Sequence, residues 1–238
     1  MNTPPRTYEQ WFSSVFGIDH PGRPIIATSW HPDTKWGQKA HSALQAIEVE
    51  CAEELLLEAA SASRGAVVEF GIYQGAWINH FAQIIEKHRL SRDVYGFDSF
   101  EGLSQPDEHK DSSFWKRGMY ACDIETVSAN VKAAKRPFVH LIKGWFSESL
   151  QEDRALSIRE FCFARIDCDI YAPALQCLKY LGPRLADRAI LVFDDWPHSL
   201  GTGEQQAFQE WINEVPQLRF EFLFYNTWGH LYLRVHRT

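Results

Sequence analysis

The feature that most constrains this chain is an alternation between short apolar runs and longer stretches with helical spacing of apolar residues. Helical spacing occurs, for example, at 76–90 and 172–182. Short apolar runs separated by helices predict a parallel sheet that is covered by helices on both faces. The five runs that we interpret as buried strands are AVVEFG (66–71), DVYGFD (93–98), FVHLIKG (138–144), FCFARID (161–167) and AILVFDD (189–195).

The end of the chain breaks this alternation. RFEFLFYN (219–226) and WGHLYLRVH (228–236) both alternate apolar and polar residues, and only a short turn separates them. A tight turn joins antiparallel strands. We therefore predict an α/β fold with a mostly parallel seven-stranded sheet and a terminal antiparallel hairpin. This Rossmann-like layout is typical of class I methyltransferases, whereas a dehydrogenase sheet normally lacks the hairpin.

The amino-acid composition limits which binding partners and which cellular compartment we expect. The 238 residues carry a net charge of −7 without a Lys/Arg run, which argues against nucleic acid. No apolar run approaches the roughly 20 residues of a membrane span. The five cysteines show no CxxC or zinc spacing, and the N-terminus has no apolar signal segment. We expect a cytoplasmic protein with free thiols, no membrane contact and no nucleic-acid partner.

The chain divides into two predicted parts. Residues 1–60 form an N-terminal arm and helix for lid, substrate or dimer contacts, and 61–238 form the main domain. A polar insertion at 103–122 interrupts that domain and carries Phe114, Trp115, Met119 and Tyr120. Insertions of this length are usually functional or disordered, so we predict a substrate lid; the alternative is a surface excursion. The high Trp and Phe content favours an interface, and we expect a homodimer.

The first strand ends in VEFGIYQGAW, which contains Glu69, Gly71, Tyr73 and Gly75. The glycines allow a tight turn close to a ligand, and their spacing differs from the G-x-G-x-x-G of dinucleotide folds. Glu69 is a carboxylate that could hold the ammonium group of S-adenosylmethionine (SAM). We predict that these four residues bind the cofactor; the alternative is a glycine-rich turn without a ligand.

The next two strand ends extend the predicted cofactor site. Asp98, followed by Ser99 in YGFDSFEGL, is placed to accept hydrogen bonds from ribose hydroxyls, although it could instead cap a turn or helix. In KGWFSESL, Trp145 could stack on adenine and Glu148 could accept from the adenine amine. The alternative for the aromatic pair Trp145 and Phe146 is packing at the end of the sheet.

Four aspartates end the fourth and fifth strands. Asp167, Asp194 and Asp195 would converge there, and three carboxylates cannot all stay ionised without a cation. An all-oxygen donor set predicts Mg²⁺ or a similar hard ion. Asp169 is left over, and it could act as general base. The alternatives are that one or two of the three acids cap helices and that Asp169 caps the following helix.

These motifs together resemble the macrocin O-methyltransferase (TylF/MycF) family over about residues 66–212. The matching stretches are VEFGIYQGAW, YGFDSFEGL, KGWFSESL, RIDCDIY and VFDDW. The resemblance implies that Asp167, Asp194 and Asp195 bind magnesium, that Asp169 is the general base, and that Glu69 and Asp98 contact SAM.

The leading hypothesis is a Mg²⁺-dependent enzyme that transfers methyl from SAM to a hydroxyl of a small molecule. The resemblance implies a sugar or other natural-product hydroxyl as acceptor, and a catechol or phenol is the alternative. Mg²⁺ would bind the acceptor oxygen and lower its pKa. The competing class is a non-catalytic protein that binds SAM, but such a protein should have lost one of the four acids. An NAD-dependent oxidoreductase is disfavoured by the glycine spacing and the hairpin.

Overall fold

A computed structural model describes residues 35–196, 202–226 and 229–238, with side chains from residue 45 onward. All seven strands of the described chain form one sheet in the order β3-β2-β1-β4-β5-β7-β6. The strands are β1 (Ala66–Phe70), β2 (Val94–Asp98), β3 (Val139–Lys143), β4 (Phe161–Ile166), β5 (Leu185–Phe193), β6 (Leu218–Tyr225) and β7 (Leu231–Arg237).

The helices alternate with the parallel strands. They are α1 (Lys35–Ala62), α2 (Ala76–Lys87), α3 (Ile124–Asn130), α4 (Phe146–Ser149), α5 (Asp153–Leu156), α6 (Tyr171–Leu181) and α7 (Gly203–Trp211). Short 3₁₀ turns follow α3 and α7, at Ala133–Lys135 and Ile212–Glu214. In the described chain, no helix is both long enough and apolar enough to cross a bilayer.

Strand pairing confirms the predicted sheet. β1 to β5 pair in parallel, while β7 runs antiparallel between β5 and β6. β5 begins at Leu185, earlier than the predicted 189. Its start was hidden in the sequence because two exposed polar residues, Asp187 and Arg188, interrupt the apolar pattern, and Arg188 has a left-handed φ of 64°.

The predicted helix at 124–135 is shorter in the structure. Asp123 caps α3, because its Oδ1 accepts a hydrogen bond from the Thr126 amide at 2.8 Å. The helix ends at Asn130, and Lys132 adopts a left-handed φ of 54° before the 3₁₀ turn. This break lets the chain turn toward β3.

Apolar side chains pack on both faces of the sheet, as predicted. One face is covered by α2 and the second half of α1, where Ala52, Leu56 and Ala59 are fully buried. The other is covered by α6 and α7, with Trp211 in its core. The division at residue 60 stays a prediction, and α1 packs on the sheet across that position. The predicted N-terminal arm lies largely outside the described residues.

Candidate active site

A cavity of about 410 Å³ opens at the carboxyl ends of the parallel strands. This is the edge where open α/β sheets bind ligands. Nine predicted site residues line it: Gly71, Tyr73, Asp98, Ser99, Trp145, Asp167, Asp169, Asp194 and Asp195. The other three predicted residues, Glu69, Gly75 and Glu148, are not in the lining.

The loop after β1 depends on glycine. Gly71 has φ 80°, and a Cβ there would lie 1.8 Å from the carbonyl oxygen of Asp167. The absence of a side chain therefore lets the ends of β1 and β4 approach closely. Gly75 has φ 85° and begins α2, and a Cβ would lie 2.7 Å from Val131 Cγ1. Gly71 thus shapes the cavity, whereas Gly75 packs behind it.

Asp98 organises two turns. Its Oδ2 accepts hydrogen bonds from the amides of Ile72 at 2.6 Å and Tyr73 at 3.2 Å, and its Oδ1 accepts from the Phe100 amide at 2.6 Å. The turn-capping role is therefore present in the structure. A carboxylate offers about four acceptor positions, so capacity remains for a ligand hydroxyl. Ser99 is mostly buried, and its Oγ donates to the carbonyl of Gly102 at 2.9 Å.

The two residues that are predicted to contact adenine differ in their access to the cavity. Trp145 lines the cavity and lies at the N-terminal boundary of α4. Glu148 is exposed on the same short helix, outside the lining. The predicted contact of Glu148 with adenine stays a prediction.

Glu69 lies beneath the cavity, 1% exposed, beside a buried arginine. Arg165 Nε is 3.8 Å from Glu69 Oε1 and 3.7 Å from Asp167 Oδ2, and its guanidinium lies 4.3 Å from the centre of the Trp77 ring. Burial raises the pKa of Glu69 well above its usual range, and the positive charge of Arg165 opposes that effect. In this structure Glu69 therefore contacts an internal cation, and its role toward SAM stays a prediction.

Three of the predicted acids converge at the cavity. Asp167, Asp194 and Asp195 each offer a carboxylate oxygen within 4.8 Å of the others, and all three side chains are partly exposed. The sheet sets this spacing, because the amide of Asp194 donates to the Ile166 carbonyl at 2.9 Å and that of Asp167 to the Phe70 carbonyl at 2.9 Å.

The acid cluster is electrostatically strained. Burial, followed by the negative charges of Asp169, Glu204 and Asp167, holds the pKa of Asp195 well above its usual range. Burial also raises the pKa of Asp167, while Arg165 lowers it. A cation in this position would relieve the repulsion.

A hydrogen-bonded chain supports Asp194 from the buried side. Its Oδ1 lies 3.0 Å from Nε2 of His230 and also pairs with Nη2 of Arg165. The Nδ1 of His230 lies 2.7 Å from Oε1 of Glu48, which accepts a hydrogen bond from the Tyr232 hydroxyl at 2.7 Å. Asp194 is thus fixed in orientation by two basic side chains.

Asp169 lines the cavity with a left-handed φ of 61°. Burial, and then the charge of Asp167, raises its pKa to about 7, and a hydrogen bond with Asp195 opposes the shift. The helix-capping alternative receives no support. The N-cap of α6 is Ile170, and the Tyr171 amide donates to Oδ1 of Asp111 at 2.7 Å.

The predicted lid has a fixed base and an aromatic surface over the cavity. The amide of Leu103 donates to the Met119 carbonyl at 2.8 Å, and the amide of Gly118 donates to the Leu103 carbonyl at 2.9 Å. Tyr120 packs edge-on against Tyr73 with ring centroids 5.4 Å apart. Trp115, Met119 and Tyr120 line the cavity, whereas Phe114 does not and is 62% exposed.

Sequence reasoning missed the supporting side chains. Arg165 gave a signal, because it is a charged residue inside the apolar run FCFARID. Glu204 and Asp111 gave none, since acids in helix starts and polar loops are common. Glu48 and His230 are 182 residues apart, and one sequence does not reveal their contact.

The strand order, the antiparallel β7 and the cavity at the strand ends define a class I methyltransferase fold. The chain belongs to the macrocin-O-methyltransferase (TylF) family, whose model matches residues 33–215. This membership confirms the family resemblance of the motifs. A comparison with curated proteins gave no significant match.

Solved structures agree on the fold. The O-methyltransferase NovP matches with a TM-score of 0.68 at 19% identity, over 80% of each chain. Apo CalS11, a TDP-rhamnose 3'-O-methyltransferase of calicheamicin biosynthesis, matches with a TM-score of 0.57 at 18% identity, over 93% of this chain and 98% of its own. An O-methyltransferase from Bacillus cereus in complex with SAH matches with a TM-score of 0.53 at 13% identity, over 97% and 96%.

Proposed function

We propose that this methyltransferase transfers a methyl group from SAM to a hydroxyl of a small molecule, with Mg²⁺ bound beside the reacting groups. The observation that carries the proposal is one cavity lined by both the predicted cofactor loops and the acid cluster. Methyl transfer requires donor and acceptor to be held in line at short range, and a single cavity provides that arrangement.

The cofactor would occupy the side of the cavity formed by β1, β2 and β3. SAM supplies a methyl group on a positively charged sulfonium. Asp98 would accept from ribose hydroxyls with its remaining lone pairs, and Trp145 would stack on the adenine. The Gly71 turn lets backbone approach the ligand closely. The Bacillus cereus neighbour, solved with SAH, supports this choice of cofactor by fold analogy.

The acid cluster fits a hard divalent cation. Asp167, Asp194 and Asp195 provide three converging carboxylates, the ligand type that Mg²⁺ prefers. Their excess negative charge and partial exposure to the cavity favour a cation at that position. When bound there, Mg²⁺ supplies positive charge that orients an acceptor hydroxyl and favours its deprotonation. Arg165 and His230 hold the ligand Asp194 from behind.

Asp169 is the proposed general base. It lies in the same cavity two residues after the proposed ligand Asp167, and burial raises its pKa, which favours proton acceptance. Asp195 and Asp167, two of the proposed metal ligands, are its charged neighbours. Deprotonation by Asp169 would make the acceptor oxygen nucleophilic as it meets the methyl group.

The acceptor would pack against the aromatic roof of Tyr73, Trp115 and Tyr120. Flat aromatic faces stack on sugar and aromatic rings alike, so a glycosyl hydroxyl and a phenol both suit this wall. The family name and the sugar substrate in the CalS11 description favour a sugar hydroxyl of a natural product. A catechol or phenol is the second candidate.

Calorimetry tests the proposal against a non-catalytic SAM-binding protein and an NAD enzyme. We expect SAM to bind wild type and NAD not to bind. Asp98→Ala should weaken SAM binding by more than about 1 kcal/mol, since it removes charge-assisted hydrogen bonds. Methyl transfer to a panel of glycosides and catechols, read as a mass increase of one methyl, then separates an enzyme from a binding protein. SAM binding without transfer to any of them would favour the binding protein.

Two further assignments belong to this proposal. We place the protein in the cytoplasm because all five cysteines are free thiols. We propose a homodimer, which sedimentation equilibrium would test directly.

A further inference from the structure

Glu204 is a buried carboxylate in the first turn of α7. It is fully inaccessible to solvent, and both of its oxygens contact the loops that carry the acid cluster. Its Oε1 accepts a hydrogen bond from the amide of Cys168 at 2.8 Å, and its Oε2 faces the amide of Asp195 at 3.2 Å. One side chain therefore joins the loop after β4 to the loop after β5.

The two amides that Glu204 contacts belong to the loops that carry the proposed metal ligands and the proposed base. Cys168 lies between Asp167 and Asp169, so its amide fixes the backbone between a proposed metal ligand and the proposed base. The second amide belongs to Asp195, another proposed ligand. We infer that Glu204 is a positioning residue that sets the spacing of the two acid-bearing loops and thereby the affinity of the site for a divalent cation. This inference rests on the metal site of the proposed function.

A purely local role for Glu204 explains the geometry less well. An acid in the first helical turn often stabilises its own helix. Here both carboxylate oxygens bond to amides of other segments, outside α7. Burying a carboxyl group here is costly, because burial and the charges of Asp167 and Asp169 disfavour its ionised form. Such a placement is typical of residues that hold ligand loops in register.

The start of α7 is also pressed against the same loop. Gly203 has φ 56°, and a Cβ there would lie 2.9 Å from the carbonyl oxygen of Asp169. The Gly203 amide donates to the Lys110 carbonyl at 2.8 Å, which ties the helix start to the insertion. α7 therefore serves as a fixed template on which Glu204 holds the two loops.

The test measures Mn²⁺ binding to the full chain by electron paramagnetic resonance, without acceptor. Glu204→Gln keeps the size of the side chain but replaces one acceptor oxygen with an NH₂ that faces a backbone donor. We expect Mn²⁺ affinity to fall by about tenfold or more, the usual effect of losing an outer-shell partner. SAM affinity should stay at the wild-type value, because the cofactor loops are not held by Glu204.

Glu214→Gln is the matched control, since Glu214 forms a surface ion pair with Lys179 at 3.2 Å. It should leave Mn²⁺ affinity unchanged. Wild-type affinity in Glu204→Gln would overturn the inference while leaving the metal site intact. Absence of Mn²⁺ binding to wild type would instead overturn the metal site, and the inference with it.

Glu204→Asp provides a second variant should the Gln variant fail to fold. It keeps the charge, but its shorter side chain cannot bridge both amides at the observed distances, so Mn²⁺ affinity should again fall. Unchanged affinity in a folded Asp variant would contradict the inference. Loss of the fold in both variants, seen by circular dichroism, would assign Glu204 to global stability and also overturn it.

Discussion

Arg165 and Asp194 form a hydrogen-bonded ion pair at the buried side of the acid cluster. Arg165 is 1% exposed and is also the buried cation beside Glu69 and Asp167. One fixed positive charge thus offsets part of the negative charge at the cavity floor. The negative charge that remains at the cluster is what the proposed Mg²⁺ would neutralise.

Arg165→Met should destabilise the protein strongly in EDTA. Removing one partner leaves buried carboxylates uncompensated, a loss of about 3–5 kcal/mol in the free energy of unfolding. Added Mg²⁺ should recover part of that loss, because it restores positive charge beside Asp194. Urea unfolding with and without Mg²⁺ measures both effects.

Arg154→Met is the control for that experiment. Arg154 pairs with Glu152 on the surface, with both side chains about half exposed, so its loss should cost about 1 kcal/mol or less. Equal destabilisation by the two substitutions would contradict the role of Arg165 as internal counter-ion.

Stability of the metal-free protein should fall as pH rises toward neutrality. Burial raises the pKa of Asp169 to about 7 and holds those of Asp195 and Glu204 well above the usual range. In the unfolded chain such carboxyls titrate near pH ~4. Between about pH 5 and about pH 7 the folded state therefore binds more protons than the unfolded state, so the free energy of unfolding decreases with pH.

Urea unfolding in EDTA between about pH 5 and about pH 7 tests whether the free energy of unfolding decreases with pH. Carboxyls with a lowered pKa, such as Glu86 beside Arg136, act at lower pH. Burial lowers the pKa of His80, which gives the opposite slope in this window, but it is one group against three acids with raised pKa values. Saturating Mg²⁺ should flatten the slope because it stabilises the ionised acids. A free energy of unfolding that rises with pH in EDTA would contradict the assignment of buried, proton-binding acids.

The aromatic roof should determine acceptor binding rather than SAM binding. Tyr120→Ala removes the ring that packs on Tyr73 over the cavity, so the KM for the acceptor should rise while SAM affinity in calorimetry stays unchanged. Phe114→Ala is the matched control, because Phe114 belongs to the same insertion but does not line the cavity. If Phe114→Ala raises the KM as much as Tyr120→Ala does, the effect belongs to the loop as a whole.

Asp169→Asn should remove the proposed base while preserving the site. Asparagine keeps the size and can occupy the same left-handed conformation, but it does not accept a proton at neutral pH. We expect kcat to fall by roughly 10² to 10⁴, with melting temperature and SAM affinity near wild type. A kcat within about fivefold of wild type, with chemistry shown to be rate-limiting, would remove Asp169 from the mechanism.

Sequence reasoning found the acids because each of them ends an apolar run. Asp98 ends β2, and Asp167 and Asp194 directly follow β4 and β5. The carboxyl ends of these strands meet at one edge of the sheet, so the fold rule places the three acids together. The same reasoning does not predict how deeply each acidic side chain is buried. Glu69 lies below the cavity floor because it belongs to β1 itself, where it is in register with Arg165 of the neighbouring strand.

The hydrogen-bond network that supports the acid cluster could not be predicted from the sequence for a different reason. The contact of Glu48 with His230 joins α1 to the segment before β7, and Glu204 reaches two loops at once. Such contacts depend on how helices pack on the finished sheet. Local periodicity and strand-end rules do not contain that information.

The central claim is that one cavity holds the cofactor and a divalent cation side by side. Crystals grown with SAH and soaked in Mn²⁺ test it most directly, by anomalous diffraction at the manganese edge. We predict a single anomalous peak among the carboxylates of Asp167, Asp194 and Asp195, with SAH density between Asp98 and Trp145 in the same cavity. SAH in that cavity without a manganese peak among these three aspartates, or manganese bound at another site, would contradict the claim.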